Sequence, residues 1–165
     1  MSGLLEFLRT RSNDRGLLAD MRCALVESKR HRAWPVLAAY GGVGDDWRAL
    51  CVQTVAGLYS MHPKETAAGN FGTTCRALLS DDECQKLYGT REVGPLSRRF
   101  QHLLAADREE VFGRVTRLVL RAKSEEVPVN YAQLHQDLQK WQYNPESVRV
   151  RWAKSFWVPN VEEIV

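Results

Sequence analysis

Between Trp47 and Met61 the apolar residues Trp47, Leu50, Cys51, Val52, Val55, Ala56, Leu58, Tyr59 and Met61 would, at 100° per residue, point in nearly every direction around a helix axis. A helix with no face for water must be enclosed by others. The sequence on either side supplies candidates, because apolar residues recur at three- and four-residue steps through most of the chain and no stretch alternates apolar with polar for long. The pattern predicts an all-α fold, a compact bundle of about six to eight helices in one domain spanning residues 1–165. With 44% hydrophobic and 26% charged residues, the chain carries enough apolar surface for a core without metal or disulfide staples.

Local signals bound the helices. Asn13 and Asp14 can cap a helix from Arg15 to about Leu25, and a second stretch covers roughly Lys29 to Tyr40, with Pro35 as a possible kink and Gly41, Gly42 and Gly44 as its stop. Asp45 or Asp46 opens the central helix and Pro63 ends it. Lys64 to Asn70 then reads as an exposed loop, Thr73 to Leu79 as a short helix and Ser80 to Gly94 as a second loop. Pro95 starts a helix through Ala106. Asp107 and Glu110 have the spacing of a capping box for the next one, which reaches about Ala122. Asn130 with Gln133 repeats that pattern for a helix ending near Trp141, and Asn144-Pro145 opens a last one through about Trp157.

The basic residues are unevenly placed. From Arg98 to Lys123 there are seven (Arg98, Arg99, Arg108, Arg114, Arg117, Arg121, Lys123) against three acids, a local surplus of four charges in a chain whose total is +3. Clustered arginines on a helical domain point toward holding a polyanion. On the helix after Asp107, Val111, Val115, Leu118 and Ala122 share one face, and Arg114, Arg117 and Arg121 share another about 90° away. Glu110 lies four residues before Arg114, so part of this stripe can be intrahelical pairing, yet one carboxylate cannot neutralise three guanidiniums. On the last helix Val148, Trp152 and Phe156 form an apolar face flanked by Arg149, Arg151 and Lys154. Those side chains suit either phosphate contact or covering the aromatic surface with their stems. The run Lys29, Arg30, His31, Arg32 points in all directions and reads as solvated.

Chemistry-bearing patterns are sparse. Cys23, Cys51, Cys75 and Cys84 form no CxxC pair and have no closely spaced histidines, which gives a zinc site little support and leaves four free thiols as the expectation. The stretch GNFG at 69–72 lacks the GK[ST] and preceding strand of a phosphate loop. His62 reads as a helix-end residue bonding the last carbonyls, and Asp81, Asp82 and Glu83 as a solvated loop rather than a cation site. No nucleophile motif and no metal or cofactor pattern emerges, so the expected protein is not an enzyme and holds no cofactor. With no apolar run of the ~18–20 residues that span a bilayer and no secretory signal in MSGLLEFLRTRSNDR, the expected location is the prokaryotic cytoplasm.

Several segments, in order, carry a resemblance: ArgGly at 15–16, RAWPVLAAY at 32–40, GLY at 57–59, HP at 62–63, GNFG at 69–72, Arg76 before Leu78, RRFQHLLAADREE at 98–110, VPVNYAQLHQDLQKW at 127–141 and VRVRWAKSFW at 148–157. Together they resemble the CasB family, the small helical subunit of the type I-E CRISPR surveillance complex Cascade. That resemblance implies a non-nuclease, present in two copies along the belly of a guide-RNA complex among the other Cascade subunits. It further implies basic side chains that steady the guide RNA–target DNA duplex and the displaced strand. By motif position the implied contacts are Arg76, Arg98, Arg99, Arg108, Arg149, Arg151 and Lys154. Arg114, Arg117 and Arg121 join them on the helical-face argument, and Arg48 by its place at the start of the central helix. In such a complex base pairing reads sequence while protein reads backbone, so contact with about three to six phosphates predicts a salt slope of roughly −2 to −4 on single strands. Two other readings remain. One is a helix-turn-helix regulator built on residues 29–40 and 47–61, and the other is a scaffold whose arginines pair with partner carboxylates.

Overall fold

The computed structural model describes residues 1–159, within which ten α-helices surround one hydrophobic cluster. Residues 160–165, included in the expected domain, lie outside the described residues. Helices α1 (Ser2–Thr10) and α2 (Arg15–Cys23) precede a broken segment in which a 3-10 turn at Arg30–Arg32, α3 (Trp34–Leu37) and a second 3-10 turn at Ala38–Tyr40 follow one another. After these come α4 (Trp47–Met61), α5 (Phe71–Arg76), α6 (Asp81–Gly89), α7 (Pro95–Leu104), α8 (Val111–Ser124), α9 (Tyr131–Trp141) and α10 (Pro145–Trp157). Residues 64–70 form the expected loop, pinned to the segment before α9 by Val129 N–H donating to the Lys64 carbonyl and Thr66 N–H to that of Val129, both at 3.1 Å.

The helix count exceeds the expected six to eight because α1 covers residues 2–10, to which the sequence pattern assigns no helix, and because α6 lies in an expected loop; one expected helix is also cut short. Residues 29–40 do not form one helix, because Pro35 occupies the first turn of α3 and cannot continue a preceding hydrogen-bond ladder. The expected loop from Ser80 to Gly94 contains α6. Ser80 is its N-cap, accepting from Glu83 N–H at 3.1 Å, and Asp81, Asp82 and Glu83 form its first turn, where negative charge offsets the exposed N–H dipoles. The three acids are a helix start rather than a loop. Elsewhere the caps fall as expected: Asp14, Asp46, Asn130 and Asn144 accept from Leu17, Ala49, Gln133 and Ser147. Asp107 accepts from Glu109 and Glu110 N–H, ahead of α8.

The central helix is enclosed as its composition demands: every residue from Cys51 to Ser60 is buried. The short N-terminal helix α2 packs closely at Gly57, where a side-chain methyl would collide with Leu25 and the Met21 carbonyl. On the other side α10 enters the core through Val148, Trp152 and Phe156, all at 0% exposure. Trp152 meets Trp141 and Phe71 with ring centroids at 5.3 and 5.4 Å, and Phe156 stacks on Phe100 at 4.0 Å. Such pairs add about 0.5–1.5 kcal/mol each beyond the area they bury. Gly72 lets α5 lie directly on α10, since a β-carbon there would overlap the Trp152 backbone.

This packing uses the residues that could have carried chemistry. His62 is buried, and its Nε2 pairs with the carbonyl of Val127 at 2.6 Å rather than with the end of its own helix. All four cysteines are free. Burial pushes the Cys51 thiol up to about 12, with Asp46 adding to it, and burial alone raises Cys75, so both behave as small apolar groups.

Candidate nucleic-acid interface

Helices α7 and α8 are amphipathic, and each spends its apolar stripe on the core. Leu96, Phe100 and Leu103 of α7, and Val111, Val115, Leu118, Val119 and Ala122 of α8, are buried. The polar faces then stand next to one another. Glu83, reaching across from α6, fixes where α7 begins: its Oε1 accepts from the backbone N–H groups of Leu96 and Ser97 at 2.9 and 3.3 Å. Proline at the first position has no N–H to offer, so a carboxylate from a neighbouring helix completes the cap.

Between α7 and α8 lies a groove of about 460 Å³ lined by Arg98, Arg99, His102, Arg114, Arg117, Leu118 and Arg121. Five guanidiniums from two helices therefore converge on one concavity. Two of them have carboxylates of their own: Arg114 meets Glu110 at 3.0 Å and Arg121 meets Glu125 at 3.2 Å, each four residues away at a cap of α8. Arg114 also donates to the His102 carbonyl, which ties the two helices together. Arg98, Arg99 and Arg117 are exposed and have no ion pair among the described residues. The side chains of Glu110 and Glu125 are half-exposed, where such pairs contribute only about 0.3–0.5 kcal/mol. A phosphate can therefore compete for every guanidinium in the groove.

The remaining candidates are placed differently. Arg149 donates to the Ala106 carbonyl at 3.0 Å, lies over the Trp141 ring and sits 3.8 Å from Glu146. Arg151 donates to Asp137 Oδ1 at 2.7 Å. Arg149 thus covers the Trp141 ring and bonds inward, and Arg151 bonds inward to Asp137. Arg76 donates to the Tyr88 hydroxyl at 2.7 Å and to the Phe156 carbonyl, joining α5 to α6 and α10. Lys154 is exposed on α10. Arg108, in the turn before α8, is exposed and stacks over Trp47, its Cζ 5.3 Å from the ring centroid. Arg48, exposed on the first turn of α4, lines a separate 70 Å³ pocket with Met1, Tyr40 and His135.

Three functional or organising residues were missed in the sequence. Asp137 is fully buried and collects Arg151, Gln133 Nε2 at 3.0 Å and Trp152 Nε1 at 2.8 Å. Its position was a signal: Tyr131, Leu134, Leu138 and Trp141 mark a buried face, and residue 137 is three after Leu134 and four before Trp141, where an acid requires partners. His102 contributes to the groove but falls between two apolar positions of α7. Glu83 was hidden by the missed helix α6.

An all-helical domain with an arginine-lined groove and, among the described residues, no group of His, Cys, Asp and Glu able to hold a metal is the class these features define. The chain belongs to the family described as CRISPR-associated protein Cse2, whose model matches residues 17–157. Its fold is that of solved CasB structures. CasB from Thermus thermophilus superposes with a TM-score of 0.73 at 20% identity, over 96% of this chain and 97% of that one. M. ruber CasB gives 0.70 at 22% identity over 94% and 90%. A chain of a CRISPR RNA-guided surveillance complex gives 0.70 at 18% identity over 94% and 89%. No curated protein sequence matches significantly. Among the described residues no helix is long and apolar enough to cross a membrane.

Proposed function

We propose that the chain is a non-catalytic subunit of an RNA-guided CRISPR surveillance complex of the Cascade type, acting in antiviral DNA interference in the prokaryotic cytoplasm. Its α7–α8 groove lies against the backbone of the nucleic acid that the complex handles. Family membership supports the first part, as does the fold shared with a chain of a surveillance complex. The observation that carries the second is the convergence of Arg98, Arg99, Arg114, Arg117 and Arg121 on one groove.

Guanidiniums suit this task because their planar N–H forks match phosphate oxygens in pairs and stay charged at any physiological pH. The groove holds five guanidiniums and, apart from them, only His102 and Leu118, so the contact is made chiefly to backbone phosphates. Sequence is read by base pairing between guide RNA and target strand. This subunit lowers the free energy of the opened state by holding phosphates of the duplex or of the displaced strand. A second copy of the chain and the other Cascade subunits extend the path. A total charge of +3 makes the groove a contributor within an assembly rather than an independent tight binder.

The helix-turn-helix alternative does not suit this geometry, because its recognition helix would be α4, whose residues 51–60 are all buried. Co-expression of the chain with the rest of a candidate complex and a guide RNA tests the proposal: two copies should co-purify. Binding of single strands by the purified chain should weaken with salt at a log–log slope of roughly −2 to −4, matching three to six phosphates. Binding indifferent to salt between 50 and ~200 mM rules out a phosphate-tracking groove.

A further inference from the structure

A second concavity shares no residue with the α7–α8 groove. It is a pocket of about 70 Å³ where the start of α1, the 3-10 turn at Ala38–Tyr40, α4 and α9 meet. Met1, Tyr40, Arg48, His135 and Gln139 line it, and the other two lining residues are aliphatic. The volume holds more than one water-sized group. Its lining runs from buried His135 to exposed Arg48, so a solute reaches it from the surface.

The chemistry of the lining is one-sided. Tyr40, Arg48, His135 and Gln139 all carry N–H or O–H groups that can donate, and no carboxylate lines the pocket. None of these four side chains makes a hydrogen bond or an ion pair among the described residues. His135 is the deepest of them, 7% exposed, with a buried Nε2 that has no partner. Native proteins pair such atoms, so a buried nitrogen without a protein partner, beside a cavity, points to a partner from outside the chain.

The surrounding charge selects the sign of that partner. Burial first, then the Met1 ammonium and the Arg48 guanidinium, hold the imidazole neutral, and no carboxylate is among the groups acting on it. A water would satisfy the nitrogen and leave the two cationic groups uncompensated, whereas an anion answers both. A tetrahedral oxyanion suits the lining better than a halide, because its several oxygens accept from several donors at once.

We infer that the pocket between α1, α4 and α9 is a binding site for a tetrahedral oxyanion, a phosphate or sulfate group held by the Arg48 guanidinium and by His135 in the tautomer protonated on Nε2, with Tyr40 and Gln139 as further donors. The ion links the start of the chain to α4 and α9 through one shared acceptor. This site stands or falls independently of the groove.

The test titrates inorganic sulfate into the full chain near neutral pH, with ionic strength held constant by sodium chloride, and follows the His135 ring by NMR. Wild type should show a saturable shift. Arg48→Gln changes an exposed residue and should weaken the affinity by about fivefold or more, the effect of losing one exposed charge pair. Arg117→Glu, in the groove, should leave it within about twofold. Inorganic phosphate should displace the sulfate. If adenosine 5′-monophosphate displaces it as well, the site also accepts a phosphate carried by a nucleotide; if it does not, the ligand is the free ion, and either result supports the pocket. Absence of a saturable His135 shift overturns the inference, as does a shift unchanged by Arg48→Gln, one lost with Arg117→Glu, or sulfate that phosphate cannot displace.

Discussion

Acidification should weaken the fold through His135 well before the carboxylates titrate. This α9 residue is 7% exposed, and its Nε2 is buried with no hydrogen-bond partner among the described residues. Burial disfavours the imidazolium, and the Met1 ammonium and the Arg48 guanidinium add repulsion, so its pKa is pushed down to about 4. In the unfolded chain the value returns to about 6.5. Between these limits the unfolded state binds the extra proton, so stability falls as pH drops from about 6.5 toward 4 and levels off below. At pH 5 the unfolded chain's proton uptake favours it by roughly 30-fold, about 2 kcal/mol relative to pH 7.5. That is a substantial part of the ~5–15 kcal/mol typical of a domain. Urea midpoints at pH 7.5 and pH 5 measure it directly, with His135→Gln as the comparison, since a glutamine cannot acquire the charge. The wild type should lose about 2 kcal/mol more than the variant over this interval. Identical losses in the two proteins, or a His135 titration near 6.5 by NMR in the folded state, would refute the assignment.

Other substitutions probe the packing. Asp137→Ala removes the carboxylate shared by Trp152, Gln133 and Arg151, stranding a buried indole N–H while Arg151 can turn toward water, so the expected cost is about 2–4 kcal/mol and a melting temperature lower by roughly 5–15 °C. A loss below ~1 kcal/mol contradicts the structural role given to Asp137. Two glycines should respond in opposite directions in the same thermal-melt experiment. Gly72→Ala drives a methyl into the Trp152 backbone and should destabilise by at least 1–3 kcal/mol, whereas Gly113→Ala projects into open space on α8 and should stabilise by about 0.5–1 kcal/mol.

Much of this architecture is legible in the chain because local and tertiary preferences agree. Asp14, Asp46, Asn130 and Asn144 cap where their side chains allow, and α8 separates its apolar and cationic faces as the 3.6-residue period requires. Where the sequence misled, tertiary contact made the difference. The stretch 81–89 has a weak apolar stripe and no buried residue, so nothing in its pattern competes with a loop, yet Ser80 caps it and Glu83 joins it to α7. Residues 29–40 carry helical periodicity, but Pro35 divides them. For the site, periodicity placed Arg114, Arg117 and Arg121 on one face of α8 and could not say that Arg98 and Arg99 of α7 would face them across a groove. Nor could it separate them from Arg149 and Arg151. In one dimension all of these are arginines beside apolar residues, and only the positions of Ala106, Trp141 and Asp137 turn the latter two inward.

The central claim is that exposed guanidiniums in the α7–α8 groove hold nucleic acid for the assembled complex. Its most direct measurement is strand displacement on a matched duplex by a complex purified with either the wild-type chain or the Arg98→Glu, Arg99→Glu, Arg117→Glu variant. The account predicts a complex of unchanged composition whose opening of the duplex is weakened by tenfold or more at low salt, with the deficit narrowing as salt is raised because the variant contacts fewer phosphates. A variant that no longer joins the complex, or one that joins it and opens the duplex as well as wild type, would contradict the account and assign the arginines to protein partners or to no partner.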